Sequence, residues 1–297
     1  MKKFLNKISF YGFIALILYN SIAWTSLWCL RNSSFYKTGF LAHEVKTKDF
    51  DYIVIGSSIG LASLNTSQID RSIGSQGLNL SMDDTSLSSN YLMLQHFYHQ
   101  DKKAKLCVLA INYWDISNPK PKMKVNDYRF LPFVREDYVF DYYSERESNG
   151  FKPLTWSYYL PMIGVSYYNT EIFYPSLIAF VKPEYKNRFD ADGNYAFPTS
   201  SNLKYKKKID ELLSWNNPFL VKIKKLCDEN NTQLIVYQAP NYDKRILNQN
   251  MEITFINHSD SIVSAKYFYD EVHLNNLGRK IESQVFAKEL KQLIFQK

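Results

Sequence analysis

Leu106-Cys107-Val108-Leu109-Ala110-Ile111 is apolar at every position. A strand with one face in water alternates polar and apolar residues, so this run predicts a strand buried on both faces. Strands of that kind belong to parallel sheets covered by helices. The surrounding sequence supplies the other parts. Residues 51–55 form a β-branched run, 78–82 a weaker one, 233–237 a further one ended by Pro240, and Tyr267-Phe268 a short fifth. Between them lie helical patterns. Residues 59–70 follow Ser58 as a helix, and Leu87, Tyr91, Leu94 and Tyr98 mark another over 86–99. Ile209, Leu212 and Leu213, then Phe219, Ile223 and Leu226, mark a helical region broken near Pro218. Ile281, Val285, Phe286, Leu290 and Ile294 mark a closing amphipathic helix. This alternation predicts an α/β fold with a parallel sheet. Chemistry in such folds gathers at the carboxyl ends of the strands, where Ser58 and Asn112 both fall.

The pattern changes at the N-terminus. Met1-Lys2-Lys3 and Lys7 precede residues 8–30, which carry no charge. As a helix, that run is roughly 34 Å long, enough to cross a bilayer core. Trp24 and Trp28 near its far end suit a membrane interface, and the leading lysines favour a cytoplasmic N-terminus. The run is long, no small-x-small site follows closely, and bulky Trp28 precedes Cys29. These features favour an uncleaved single-pass anchor in the cell membrane over a signal peptide. The expected organisation is therefore residues 1–30 as cytoplasmic tip and anchor, 31–48 as a polar stalk, and 49–297 as one extracytoplasmic domain. Residues 117–200 interrupt the alternation as an insertion of short helices and loops, rich in aromatic clusters at 138–143, 156–159 and 167–168. Those rings either pack the insertion onto the sheet or line a sugar-binding groove.

Composition narrows the partners. The chain is 45% hydrophobic and 22% charged, ordinary for a globular protein, with a net charge of +7. No zinc-finger spacing or RNA-binding signature accompanies the basic balance, so nucleic acid is not expected as a partner. Lys204, Lys206, Lys207 and Lys208 read as a solvated helix face. The three cysteines, Cys29, Cys107 and Cys227, show no metal or redox spacing. Neither a disulfide framework nor a cofactor is expected.

Two distant segments carry the candidate chemistry. Tyr52-Ile53-Val54-Ile55-Gly56-Ser57-Ser58 is an apolar strand ending in a small-residue turn, and Asp270-Glu271-Val272-His273-Leu274-Asn275 places a carboxylate three residues before a histidine. Ser58 opens a helix, where its hydroxyl is presented and its N–H faces developing negative charge. An aspartate fixed beside His273 holds the imidazole in the tautomer that accepts the serine proton. Asn112, just past the apolar strand, offers a side-chain amide to an oxyanion near Ser58. Taken singly, each has a plainer reading: a strand-to-helix turn, a helix cap at Asp270 and a turn asparagine.

Gly56-Ser57-Ser58, Ala110-Ile111-Asn112 and Asp270-x-x-His273-Leu274-Asn275-x-x-Gly278 resemble, in order and spread, three of the four sequence blocks of the SGNH (GDSL-like) hydrolases. The resemblance covers about 50 to 290, with the insertion outside it. It implies a flavodoxin-like three-layer α/β/α fold and an ester-cleaving Ser-His-Asp site. Ser58 is then the nucleophile, His273 the base, Asp270 its partner, and Ser58 and Asn112 the oxyanion donors. The anchor and the Gly-Ser-Ser form are similar to the surface-polymer branch. That branch implies an acylated surface glycan as substrate, with hydrolysis or O-acyl transfer as the reaction and a membrane acyl-donor partner for transfer. This chain departs from the family in the second block, where Asn79-Leu80-Ser81-Met82-Asp83-Asp84 replaces the usual glycine. Ala110 and Tyr113 also replace the usual residues around Asn112. These departures keep open a non-catalytic glycan-binding or assembly component of a polysaccharide export complex. A lipid-directed esterase is a third reading.

Overall fold

Backbone pairing sorts the apolar runs into strands and helices in a computed structural model, which describes residues 1–148, 150–199, 203–204, 206–249 and 252–295. Parts of the ranges named above, at 149, 200–202, 205, 250–251 and 296–297, lie outside the described residues. In chain order, α1 (Lys2–Arg31) and α2 (Lys37–His43) precede β1 (Asp49–Gly56). Next come α3 (Ser58–Ser63), α4 (Thr66–Ile73), β2 (Gly77–Asn79), α5 (Leu87–His99), β3 (Lys103–Ala110) and α6 (Tyr113–Ile116). A 3₁₀ stretch over Val125–Phe133 leads into α7 (Asp137–Arg146), α8 (Pro153–Trp156), α9 (Met162–Tyr167) and α10 (Tyr174–Val181). The rest is β4 (Ile209–Leu212), α11 (Pro218–Glu229), β5 (Gln233–Gln238), β6 (Lys244–Leu247), β7 (Thr254–Asn257) and α12 (Asn276–Phe295).

The chain divides into two compact units, one of residues 1–46 with 127–187, the other of 47–126 with 188–297. The second holds a five-stranded parallel sheet in the order β2-β1-β3-β5-β7. Counted among themselves, the strands run 2-1-3-4-5, a doubly wound order. β3 lies at the centre, as its unbroken apolar run requires. One face of the sheet presents Tyr52, Val54, Leu106, Val108, Ile235 and Tyr237 to α3, α4 and α12 through Ile59, Ile69, Phe286 and Leu290. Helices α5 and α11 pack on each other and on the sheet, α5 against β1 and α11 against β5. β4 and β6 form a separate two-stranded parallel pair.

The first unit is built around aromatic residues. Phe35, Tyr36, Phe40, Phe130, Phe133, Tyr138 and Tyr143 are all buried. Tyr142 Oη donates to Asp127 Oδ2 at 2.6 Å and Tyr143 Oη to the Asp127 carbonyl at 2.7 Å. Arg31 pairs with Glu136 at 2.6 Å and lies 4.7 Å from the Phe133 ring. α1 is long and apolar enough to cross a membrane.

Several expectations need correction. Residues 31–48 are not a polar stalk. They contain α2, and Ser33 through Leu41 are buried, because Phe35, Tyr36, Phe40 and Leu41 supply a core face hidden in a polar composition. Residues 59–70 form two helices, since Asn65 caps a fresh start by accepting the Gln68 N–H at 3.2 Å. Residues 209–212 form strand β4 rather than helix. Ile209 and Leu212 are exposed, so no buried apolar face holds a helix there, and pairing with Lys244–Leu247 satisfies their backbone. The lysines before it therefore do not lie on a helix face. The fifth sheet strand is Thr254–Asn257, whereas Ala265–Tyr267 makes a 3₁₀ turn and Phe268 an isolated bridge to Leu274.

Candidate active site

Strand register places the first two site residues. β1 and β3 pair in parallel with Gly56 opposite Ala110, so Ser58 and Asn112 each lie two residues past one matched pair at the carboxyl edge. Neighbouring strands are about 4.8 Å apart, which puts both residues on one small patch of that edge. Gly56 makes this close pairing possible: a Cβ there would lie 1.9 Å from the Ala110 carbonyl oxygen. Ser57 N–H donates to the same carbonyl at 3.2 Å. The Ser57 side chain then caps α3 by accepting the Ile59 N–H at 3.3 Å. Chain direction therefore turns at Ser57, and Ser58 opens the helix with its hydroxyl half-buried.

The other two residues come from the loop before α12. Asp270 Oδ1 accepts the Val272 N–H at 2.9 Å and the His273 N–H at 2.8 Å. The three-residue spacing thus folds into a turn capped by its own carboxylate. The same carboxylate faces the ring, with His273 Nδ1 at 2.8 Å from Oδ2 and 3.0 Å from Oδ1. A carboxylate only accepts, so Nδ1 carries a proton, and in the neutral ring Nε2 then holds the lone pair. That lone pair meets the Ser58 hydroxyl at 2.7 Å. Burial pushes the Asp270 carboxyl up, but hydrogen bonds from the His273 ring and the two amides outweigh it and hold its pKa below the usual value.

The loop is fixed from below by α12. Asn275 Oδ1 accepts the Leu277 and Gly278 N–H groups at 3.0 and 3.1 Å, capping the helix. Its Nδ2 donates to the Lys266 and Phe268 carbonyls at 2.8 and 3.1 Å. Gly278 is required by close approach, because a Cβ there would lie 2.1 Å from the Tyr267 carbonyl oxygen.

Two donors lie at this carboxyl edge of the sheet. The Ser58 N–H, first in α3, donates to no group among the described residues. Asn112 is buried and its side chain does not cap α6. Its Oδ1 has no hydrogen-bond partner, and its NH₂ makes no hydrogen bond among the described residues. A buried amide with free capacity is costly unless a ligand completes it. The second block lies beside β1, where Leu80 and Met82 N–H groups donate to the Val54 and Gly56 carbonyls at 2.7 and 3.0 Å. Asp83 and Asp84 follow as exposed residues, with Asp84 in the left-handed region at φ 48° and 3.7 Å from Lys124. Asp115, just past Asn112, has its pKa pushed up to about 6 by burial, opposed by Lys124 and reinforced by Asp84.

Sequence patterns did not indicate Phe197. Its ring lies 5.1 Å from the His273 ring and stacks on Tyr269 at 5.0 Å. Its backbone bridges to Asn275, and its carbonyl accepts the Asn276 N–H at 3.0 Å. The preceding turn anchors it: the Asn79 N–H donates to the Asp192 carbonyl at 2.9 Å, and Asn194 Oδ1 accepts the Thr66 N–H at 2.9 Å. No local periodicity marks this segment, so only the fold reveals it. On the other side of the histidine loop, Lys206 pairs with Glu271 and the Tyr242 N–H donates to the Glu271 carbonyl at 2.9 Å. Lys206 and Tyr242 also line a surface cavity of about 690 Å³, together with Lys208, Arg245 and Asp260.

No protein-family model matches the chain, and no curated protein matches it in sequence. The functional reading therefore rests on residues and geometry.

Proposed function

We propose that this chain is a serine acyl hydrolase or O-acyltransferase of the SGNH type, anchored in the cell membrane by α1 with its sheet unit outside. Its proposed substrate is an acyl ester of a surface glycan. The observation that carries this reading is the continuous hydrogen-bonded run from Ser58 through His273 to Asp270. The parallel order 2-1-3-4-5, the flavodoxin-like one, supports the architecture.

In this reading, Ser58 Oγ attacks the acyl carbonyl while its proton passes to His273 Nε2. The new C–O bond gives a tetrahedral oxyanion, which the Ser58 N–H and the Asn112 amide stabilise. One such donor is typically worth about 10²–10³ in rate. Collapse breaks the bond to the leaving alkoxide, which takes the proton from Nε2, and leaves an acyl-serine. Asp270 stays ionised and holds the imidazolium that forms at each proton transfer. Water deprotonated by His273 then releases the acid, whereas a sugar hydroxyl accepts the acyl group as a new ester. Transfer needs an acyl donor, supplied by a membrane partner.

The test is labelling of the full chain in detergent with a fluorophosphonate probe, with turnover of p-nitrophenyl acetate measured in parallel. Wild type is expected to label and turn over, and Ser58→Ala to do neither. Wild type that neither labels nor turns over would sink the enzyme reading and leave the glycan-binding one.

A further inference from the structure

Residues 153–181 carry a single charge, Glu171, in 29 positions. Their packing is the reverse of a water-exposed helix. In α10 the small residues Pro175, Ser176 and Ala179 are buried, while Leu177, Phe180 and Val181 are 50%, 71% and 72% exposed. Water drives large apolar side chains inward. In lipid, small residues face neighbouring helices and large apolar ones face outward.

Both α9 and α10 pack on α1, and the contacts give their depth. Residues 8–27 of α1 span roughly 30 Å, the thickness of a hydrocarbon core. Asn20 then lies about 10 Å inside the outer edge of that core. There its Oδ1 accepts the Met162 N–H at 3.3 Å, and its Nδ2 donates to the Leu16 carbonyl at 3.0 Å. The start of α9 is therefore capped by a side chain from α1, at a depth where water cannot do so. The flanks of α10 are held higher, at the chain just beyond α1. The Tyr36 hydroxyl donates to the Glu171 carbonyl at 2.5 Å, and the Ser34 N–H to the Pro183 carbonyl at 2.7 Å. Arg135 lies 4.7 Å from the Trp24 ring and 4.8 Å from the Tyr158 ring, a cation and two aromatic rings suited to the headgroup level.

The geometry points to a second membrane element: residues 156–181 form a wedge that enters the outer leaflet beside α1, with Leu177 and Phe180 in contact with lipid acyl chains and Val181 at the headgroup level. This inference rests on α1 crossing the bilayer. It differs from an interfacial amphipathic helix with a charged outer face, because the outward face of α10 is the apolar one.

The full chain, reconstituted in protein-free phosphatidylcholine vesicles, tests it. A single nitrobenzoxadiazole label is placed in turn at Leu177→Cys, Val181→Cys, Ile17→Cys and Val221→Cys, the native cysteines being buried. Ile17 is the anchor control, and Val221, 72% exposed on α11, is the control from the sheet unit. Labels at 177 and 181 are expected to emit at shorter wavelength than at 221, and the label at 177 to be quenched by dibrominated acyl chains as at 17. Quenching at 17 with aqueous, unquenched emission at 177 and 181 overturns the wedge while leaving the anchor intact. Loss of quenching at 17 as well overturns the anchor itself.

Discussion

Asp270 accepts from two backbone amides and from the His273 ring, so its chemical and structural roles are separable. In Asp270→Asn the side-chain oxygen can still accept the amides, but the NH₂ cannot accept Nδ1–H. The imidazole then turns to the tautomer that lacks a lone pair toward Ser58. If the site acts as proposed, ester turnover falls by about 10³–10⁴ with little change in melting temperature, following serine hydrolases in general. Phe197 has no reacting atom, and its place against the His273 ring makes it a positioning residue. Phe197→Ala is expected to lower kcat more than it raises KM, by up to about 10²-fold. Full kcat in Phe197→Ala would assign the ring to packing alone. The two residues differ in legibility for a physical reason. The Asp270–His273 spacing is a local turn, visible in four consecutive residues. Phe197 reaches the histidine only because the Asp190–Asn194 turn docks on β2 and α4, which no nearby sequence records.

At the scale of elements, the site depends on how closely β1 and β3 approach. Gly56→Ala puts a methyl against the Ala110 carbonyl and must spread the two strands that carry Ser58 and Asn112. It is expected to reduce fluorophosphonate labelling even where the chain still folds, measured as labelling rate per correctly folded molecule. Asn275→Ala removes the cap of α12 and two carbonyl partners, costing about 1–2 kcal/mol or more, read from the shift in melting temperature. Sheet strands buried on both faces were legible because they are long and uniformly apolar. β4 was not, because its i, i+3 apolar spacing fits either period, and β7 was not, because its two apolar residues, Phe255 and Ile256, lie side by side and show no period. α2 was missed because its core residues are interspersed with Lys37, Thr38 and Gly39, all of which the fold buries.

Across the whole molecule, α12 is tied to the sheet by an ionic cluster with His258 and Glu282 buried and Glu289 at its half-exposed rim. His258 lies between Glu282 and Glu289, with Nδ1 against the first and Nε2 2.9 Å from the second. The Tyr237 hydroxyl also donates to Glu282, at 2.7 Å. Burial works against the imidazolium, but the two carboxylates outweigh it and push the pKa up to about 9. The folded value lies above the ordinary one of 6.5. This contribution to stability is therefore complete below about pH 6.5 and fades as pH rises through about 9, by roughly 3 kcal/mol. Melting of the full chain in detergent between pH 6 and pH 9.5 should show that decline, and His258→Gln should flatten it. His258→Ala leaves Glu282 buried without its cation and is expected to cost about 3–5 kcal/mol. Ser58 and His273 are 215 positions apart, and between them the chain leaves the sheet unit for residues 127–187 and returns. Contacts of that separation form late and slowly. A nascent chain therefore carries an unarmed serine until the His273 loop has been made and folded. The proposed reactive centre comes into being only when the Asp270–Asn275 segment has closed onto the carboxyl edge of the sheet, which ties the onset of chemistry to folding of the whole sheet unit.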